Sequence, residues 1–417
     1  MARTRHPFAA PARRRRTVEE HQAVVAELVA PAPAEWVVLA EALGRVLAED
    51  VTAPIPLPPF DNAAMDGYAV RAADVAAATG ERPVLLPVVD DIPAGRTDIP
   101  VLAPGTAHRI MTGAPLPTGA DAVVPVEQTD GGSDRVAFRA AVAAGNAVRR
   151  AGEDVTEGAV VLTAGTVLGP AQIGAAAAVG LARVPVRRRP VVLVLSTGSE
   201  LVEPGSPLKP GQIYESNGAM LTAAVTEAGG VARHLRFVPD DVDRFLAELD
   251  GHLAADGIDL VLTSGGVSAG AYEVVREALS ERGVEFVKVA MQPGGPQGAG
   301  RLSGPDVPVV ALPGNPVSAL VSFEVFVRPA LRAALGHRHL HRPVVRATLV
   351  EQLESPAGLR QFRRGVIDTV RKTVREVGGP GSHLIAALAR SECLIVLPEE
   401  VTTVDAGSTV EVWLLDG

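Results

Sequence analysis

The sequence predicts a multidomain protein of the α/β plus β class. Its parts are a central doubly wound parallel α/β domain, an N-terminal discontinuous α/β-rich domain with an inserted β domain, and a C-terminal β-barrel-like domain. Three observations predict this. At 417 residues the chain exceeds what one hydrophobic core usually serves, which gives roughly two to four domains. From about residue 190 to 335, β-branched runs of strand length alternate with helix-length amphipathic segments, as in parallel strands joined by right-handed crossovers. On either side, short apolar runs are separated by Gly and Pro turns, the mark of small β domains.

Taken in order, residues 1–16 form a basic tail with six arginines (Arg3, Arg5 and Arg13 to Arg16) and no acid. Such a composition reads as a solvated, disordered extension, and without an apolar core it is no secretory signal. Thr17 and Glu20 make a capping box, and Val18, Val25, Leu28 and Val29 give a helical face that stops at Pro31. The N-terminal domain takes 17–57 and 148–185, with a strand, a turn at Gly165 and an Ala-rich helix near 170–180 expected to pack on the first helix. Residues 58–147 are the inserted β domain, entered through the proline-dense connection 54–59. The α/β domain spans 186–336, with strands expected at 191–195, 231–238, 258–262, 285–289 and 307–312. Helices are expected after Asn217, Asp240, Ala271 and Pro316. The C-terminal domain, 337–417, should carry strands at 344–350, 362–370, 394–397 and 409–415.

Composition excludes several functions. Aromatics are 3% of residues, too few for base-stacking platforms, so no nucleic-acid partner is expected. The longest apolar stretch, 173–182, is half the ~20 residues a bilayer requires, so no membrane partner is expected either. The single cysteine, Cys393, cannot form an intramolecular disulfide and reads as a core strand residue, which fits a reducing, cytoplasmic location. His337, His339 and His341 alternate at a domain junction without a fourth ligand and read as a solvated linker.

In open α/β sheets ligands bind beyond the carboxyl ends of the strands. Three such ends are built from small residues: Ser196, Thr197, Gly198; then Ser264, Gly265, Gly266, Ser268; then Pro313, Gly314, Asn315, Ser318. Small residues let backbone N–H groups approach an anion, and a following helix adds the positive end of its dipole, so a phosphate suits these turns. Neither a Walker loop nor GxGxxG is present. Glu200, Asp240 and Glu273 accompany the turns, and acids around a phosphate point to Mg²⁺ between them. Segment 61–70, with Asp66-Gly67, and segment 109–115, with Thr112, read equally well as turns or as sites.

FDNAAMDGYAV (60–70), RIMTGAP (109–115), RRAGEDV (149–155), STGSEL (196–201), SGGVSAG (264–270) and LPGNPVSA (312–319), in this order, resemble the molybdopterin molybdenumtransferases. This is the family of bacterial MoeA proteins and the E domain of gephyrin, and the resemblance runs from about Thr17 to the C-terminus. It implies a homodimer whose α/β domain binds molybdopterin adenylate, with the partner's β domain closing a shared active site. It further implies Mg²⁺-dependent cleavage of the adenylyl linkage coupled to insertion of molybdenum from molybdate, with AMP released. Asp66, Thr112, Glu200, Asp240 and Glu273 would be catalytic, the last three as Mg²⁺ ligands. The strand-end residues above, with Asn217, Arg360 and Ser382, would bind the pterin substrate and the oxyanion. Molybdopterin adenylyltransferase and molybdoenzyme targets are the further partners implied.

Departures accompany the match. Glu273 stands where many members carry Asp. The usual KPGKP reads Gln292, Pro293, Gly294, Gly295, Pro296, without its lysines, and Leu359 stands where Arg is common. Arg360 and Arg364, with Ser382, are the expected replacements, since guanidinium geometry suits oxyanions. Two rival readings stand beside the transferase: molybdopterin adenylylation, which the α/β domain alone performs elsewhere, and a non-catalytic molybdopterin-binding scaffold, suggested by the missing lysines.

Overall fold

The computed structural model describes residues 15–198, 200–237, 242–265 and 274–415. These fall into two compact units, Trp36–Val186 and the N-terminal segment to Glu35 joined with Arg187 onward.

In the first unit a five-stranded sheet runs in the order Ala122–Pro125, Gly67–Val70, Ala107–Ile110, Val84–Ile92, Arg135–Phe138. Gly67–Val70 is buried along its length, and only glycine fits its first position, because a Cβ on Gly67 would collide with the Val124 carbonyl. Tyr68, Val70, Val124, Val136 and Phe138 fill one side of the sheet; Ala69, Ile92, Ile110 and Val123 fill the other. A separate cluster of Leu47, Val51, Leu168, Ala176, Val184 and Val186 buries the helix Pro170–Ala178.

The second unit holds the α/β domain. Its strands are β1 (Val191–Thr197), β2 (Val231–Phe237), β3 (Leu260–Ser264), β4 (Val284–Lys288), β5 (Pro296–Arg301) and β6 (Pro308–Leu312), in the order β2-β1-β3-β6-β5-β4. The first four in that order are parallel. Along β1, Val192 and Val194 enter one core while Leu193 and Leu195 enter another. That alternation is why the strands read as unbroken apolar runs: both faces are covered by helices. Asn217–Glu227 and Pro316–Ser322 supply one face; Phe245 and Leu249 of Val242–Asp256 and Leu279 of Val274–Glu281 supply the other.

Two features depart from the sequence expectation. Strand β5, PQGAGR, carries no β-branched residue and was not expected; it runs antiparallel to β6 and β4 and turns that edge of the sheet mixed. The helix Val18–Leu28 does form behind its Thr17–Glu20 capping box. Its apolar face, however, enters the α/β core with Val18, Val25 and Val29, which corrects the expected packing on 170–180. His21 meets Phe326 edge-on at 4.7 Å. Phe326 lies in a π-helical turn, Phe323–Val327, next to Pro329. Proline has no N–H to offer the Val325 carbonyl, and Gln22 Nε2 donates to it instead, at 3.1 Å.

Beneath this turn lies a buried charge cluster. Glu324 accepts from Arg342 at 2.8 and 3.0 Å and stands 3.7 Å from Arg328, and Glu227 lies 2.7 Å from Arg342. His337, beside this cluster, is half-buried rather than solvated, and burial, then Arg332 and Arg328, holds its pKa at about 4.

In the C-terminal region Arg360–Asp368, Thr373–Glu376, Val344–Leu349, Thr409–Leu414 and Cys393–Leu397 pair in that order, and the last closes on the first as a barrel. Cys393 is fully buried in this barrel, where burial first and then Glu392 raise its thiol to about 12. Met291–Gln292 pairs in parallel with Arg360–Gln361, so the barrel is attached to the chain that follows β4. Among the described residues no helix is long and apolar enough to cross a membrane.

Candidate functional site

Because β1, β3 and β6 are neighbours, their small-residue ends meet. Gly265 turns at φ +101° against Thr197, whose carbonyl would lie 2.7 Å from a Cβ there, and its N–H donates to the Leu312 carbonyl at 3.2 Å. A Cβ on Gly314 would touch the Gly265 Cα at 3.4 Å. Asn217 ties the second and third ends together: its Nδ2 donates to Ser264 Oγ and to the Gly314 carbonyl, both at 2.7 Å. Its Oδ1 is buried with no partner among the described residues, an acceptor available to a bound group. Thr197 Oγ1 reaches the Ser264 carbonyl at 3.5 Å.

The third strand end opens into a cleft of ≈ 660 Å³, where Pro313, Gly314, Asn315 and Ser318 face segment 288–296 and the barrel loop 380–383. Asn315 Nδ2 donates to Ser382 Oγ at 2.9 Å, joining the α/β strand end to the barrel loop. Arg364 is buried behind this loop and donates to the Gly379 and Gly381 carbonyls, so it supports Ser382 and does not face the cleft. Among the described residues no carboxylate lines the cleft, and the Lys and Arg residues that line it are Arg15 and Lys288.

Other expected residues are placed elsewhere. Ser196 is fully buried, with Oγ 3.3 Å from His234 Nε2, and a second, smaller pocket beside it is lined by Glu203, Glu215 and His234. Arg360 is absent from the cleft's lining and is held by Glu19 at 2.5 Å and Glu399 at 2.8 Å. Glu200 is exposed, its carboxylate against Gly198. Asp240, Gly266, Ser268 and Glu273 lie outside the described residues, and among those described no three His, Cys, Asp or Glu side chains stand together as a metal site. Sequence reasoning missed Arg15, Lys288 and His383, which carry no motif and reach the cleft only through folding.

The Asp66 turn is a second arrangement, in the other unit. Segments 60–70 and 109–115 are locked together by Gly113 N–H to the Ala63 carbonyl at 2.8 Å and Ala63 N–H to the Ala114 carbonyl at 3.1 Å. Segment 149–155 joins them, since Arg150 and the Ala151 N–H both donate to Asp61. Asp66 Oδ1 accepts from the Thr112 hydroxyl and the Thr112 N–H, each at 2.7 Å. The hydroxyl first, then the N–H, hold the exposed Asp66 carboxyl below the usual carboxylate range. Phe60, Met65 and Met111, on the same segments, are all exposed.

Family models match along the chain: the MoeA N-terminal region (domain I and II) over residues 16–180, a probable molybdopterin binding domain over 193–333, and the MoeA C-terminal region (domain IV) over 346–415. A relative from Mycobacterium tuberculosis named molybdopterin molybdenumtransferase 2 is 56% identical over 405 residues, 95% of this chain and 99% of the relative. One from Bacillus subtilis named molybdopterin molybdenumtransferase is 36% identical, over 91% and 90% of the two chains. Among solved structures, a molybdopterin biosynthesis MoeA protein from Pyrococcus horikoshii superimposes with a TM-score of 0.84 at 34% identity, covering 97% of this chain and 100% of that one.

Proposed function

The chain belongs to the MoeA family, and on that premise we propose that it is a molybdopterin molybdenumtransferase acting in molybdenum cofactor biosynthesis in the cytoplasm. Its substrates are molybdopterin adenylate and molybdate, and AMP is released. One observation of the molecule carries the reading. Of three neighbouring glycine- and serine-bearing strand ends, Asn217 ties the second to the third, and the third opens on a cleft that no carboxylate among the described residues lines, of a size that suits a phosphorylated ligand. Backbone N–H groups and hydroxyls of Thr197, Ser264, Gly314, Asn315 and Ser382 hold phosphate and pterin, as small residues at strand ends do. The metal's sulfur ligands come from the pterin, since one buried cysteine provides no thiolate set.

Glu200, Asp240 and Glu273 would hold Mg²⁺, whose chemistry here is to offset phosphate charge. Water attacks the adenylyl phosphorus, the bond to the pterin phosphate breaks, and Asp66, ionised and oriented by Thr112, takes the proton. The active site is shared in a homodimer, with Asp66 and Thr112 donated by the partner subunit. The exposed Phe60, Met65 and Met111 beside that turn support an apolar contact around it. The N- and C-terminal MoeA matches weigh against a stand-alone adenylylating enzyme. The test is to incubate the protein with molybdopterin adenylate, molybdate and Mg²⁺. AMP release with molybdenum on the pterin is expected, and binding without AMP release would show a scaffold instead. Chelation by EDTA should stop the release, with Mg²⁺ restoring it.

A further inference from the structure

The loop 292–296 faces the cleft with no charge. Gln292 Oε1 accepts from Gln361 Nε2 at 2.7 Å, and Gly295 has no side chain. Arg360 is matched by two carboxylates. Cations nevertheless reach the cleft from two other places. The end of the basic tail is bridged to the chain after β4: Arg16 N–H donates to the Lys288 carbonyl at 2.9 Å, and Ala290 N–H donates to the Arg16 carbonyl at 2.8 Å. Successive residues of extended chain point to opposite sides. Arg16 accordingly turns to Glu285 at 2.7 Å, while Arg15 lines the cleft, as does Lys288. Among the described residues neither Arg15 nor Lys288 has an ion-pair partner.

Building on the proposed activity, we propose that Arg15 and Lys288 bind the tetrahedral dianion taken by this cleft, either molybdate or a phosphoryl group. The last part of the basic tail is thereby an element of the site, supplying charge that the loop 292–296 does not. Two cations on the walls of the cleft, with no acid among the described residues that line it, attract such an anion at a range comparable with the Debye length, about 8 Å at physiological salt.

Calorimetric titration of the full chain with sodium molybdate, and separately with AMP, tests this. Arg15→Gln and Lys288→Gln should each weaken at least one probe about threefold to tenfold, and the double variant more. Arg15→Lys should retain most of the affinity, and removal of residues 1–14 should leave it unchanged. Gly295→Lys should restore binding to Arg15→Gln, because the nearest atoms to a Cβ there, the Val289 and Met291 carbonyl oxygens, stand at 3.5 and 3.6 Å. Loss confined to molybdate assigns the pair to the metal oxyanion, and loss confined to AMP assigns it to the phosphoryl group; both support the site. Unchanged affinity for both probes in the double variant, or a wild type that binds neither, overturns it. A wild type that binds the probes through Arg15 and Lys288 yet releases no AMP would remove the proposed reaction and leave the anion site standing.

Discussion

The cleft beside Lys288 draws its lining from widely separated stretches, at residues 15, 288–296, 313–318, 359 and 380–383, whereas the Asp66 turn is closed by two short motifs bonded directly to one another. Among the described residues the cleft's lining carries two cations and no acid; the turn presents one exposed, ionised acid. A surface assembled from many parts shares its work, so single substitutions in its lining cost little, but it depends on the scaffold beneath. The turn concentrates its chemistry on one carboxylate, so a single atom should matter there.

The sharpest way to break that contrast is at the scaffold. Glu324→Ala leaves Arg342 and Arg328 buried with reduced compensation, and should lower stability by about 3–5 kcal/mol, read as a shifted urea midpoint. Glu324→Gln, which keeps the side-chain volume and can keep one of the two hydrogen bonds from Arg342, should lose less.

Acid should weaken the same region next. Burial, then Arg16, holds the His21 imidazole at about 4 against an ordinary 6.5, and its Nδ1 lies 3.4 Å from Arg16 NH1 as a neutral acceptor. The unfolded chain takes up a proton that the folded chain refuses. The contribution of His21 is therefore complete above pH ~6.5 and is lost as pH falls toward about 4, by roughly 3 kcal/mol. Urea titrations at pH 7 and 4.5 should show this slope, and His21→Phe should flatten it.

At the turn, Asp66→Asn should slow AMP release about 100-fold while leaving affinity for AMP unchanged. Unchanged turnover would remove Asp66 from the chemistry. The smallest effect belongs to Thr112→Val, which removes the hydroxyl that lowers the Asp66 pKa most and keeps the N–H bond. The Asp66 pKa should rise, the acid limb of the pH–rate profile should move to higher pH, and the rate at neutral pH should fall by about tenfold or less.

Legibility in the sequence followed the range of the interactions. Apolar runs marked β1, β3 and β6 because strands covered on both faces need apolar residues at every position, and Thr17 with Glu20 marked a helix start through bonds three residues apart. Asp66 and Thr112 were each named from their motifs, though only folding shows that one accepts two hydrogen bonds from the other. Strand β5 was missed because PQGAGR carries no strand signal; its neighbours β4 and β6 impose the conformation.

The sequence by itself determined the domain classes, the small-residue strand ends and the absence of lysine from loop 292–296, since each depends on local composition and spacing. Only the tertiary structure decided that helix Val18–Leu28 belongs to the α/β core, that Arg360 is matched by Glu19 and Glu399, and that Arg15 stands beside Lys288 in the cleft. The physical reason is that charge and burial at a site are sums over neighbours in space. Arg15 and Lys288, 273 residues apart, meet through a backbone bridge that neither segment encodes alone.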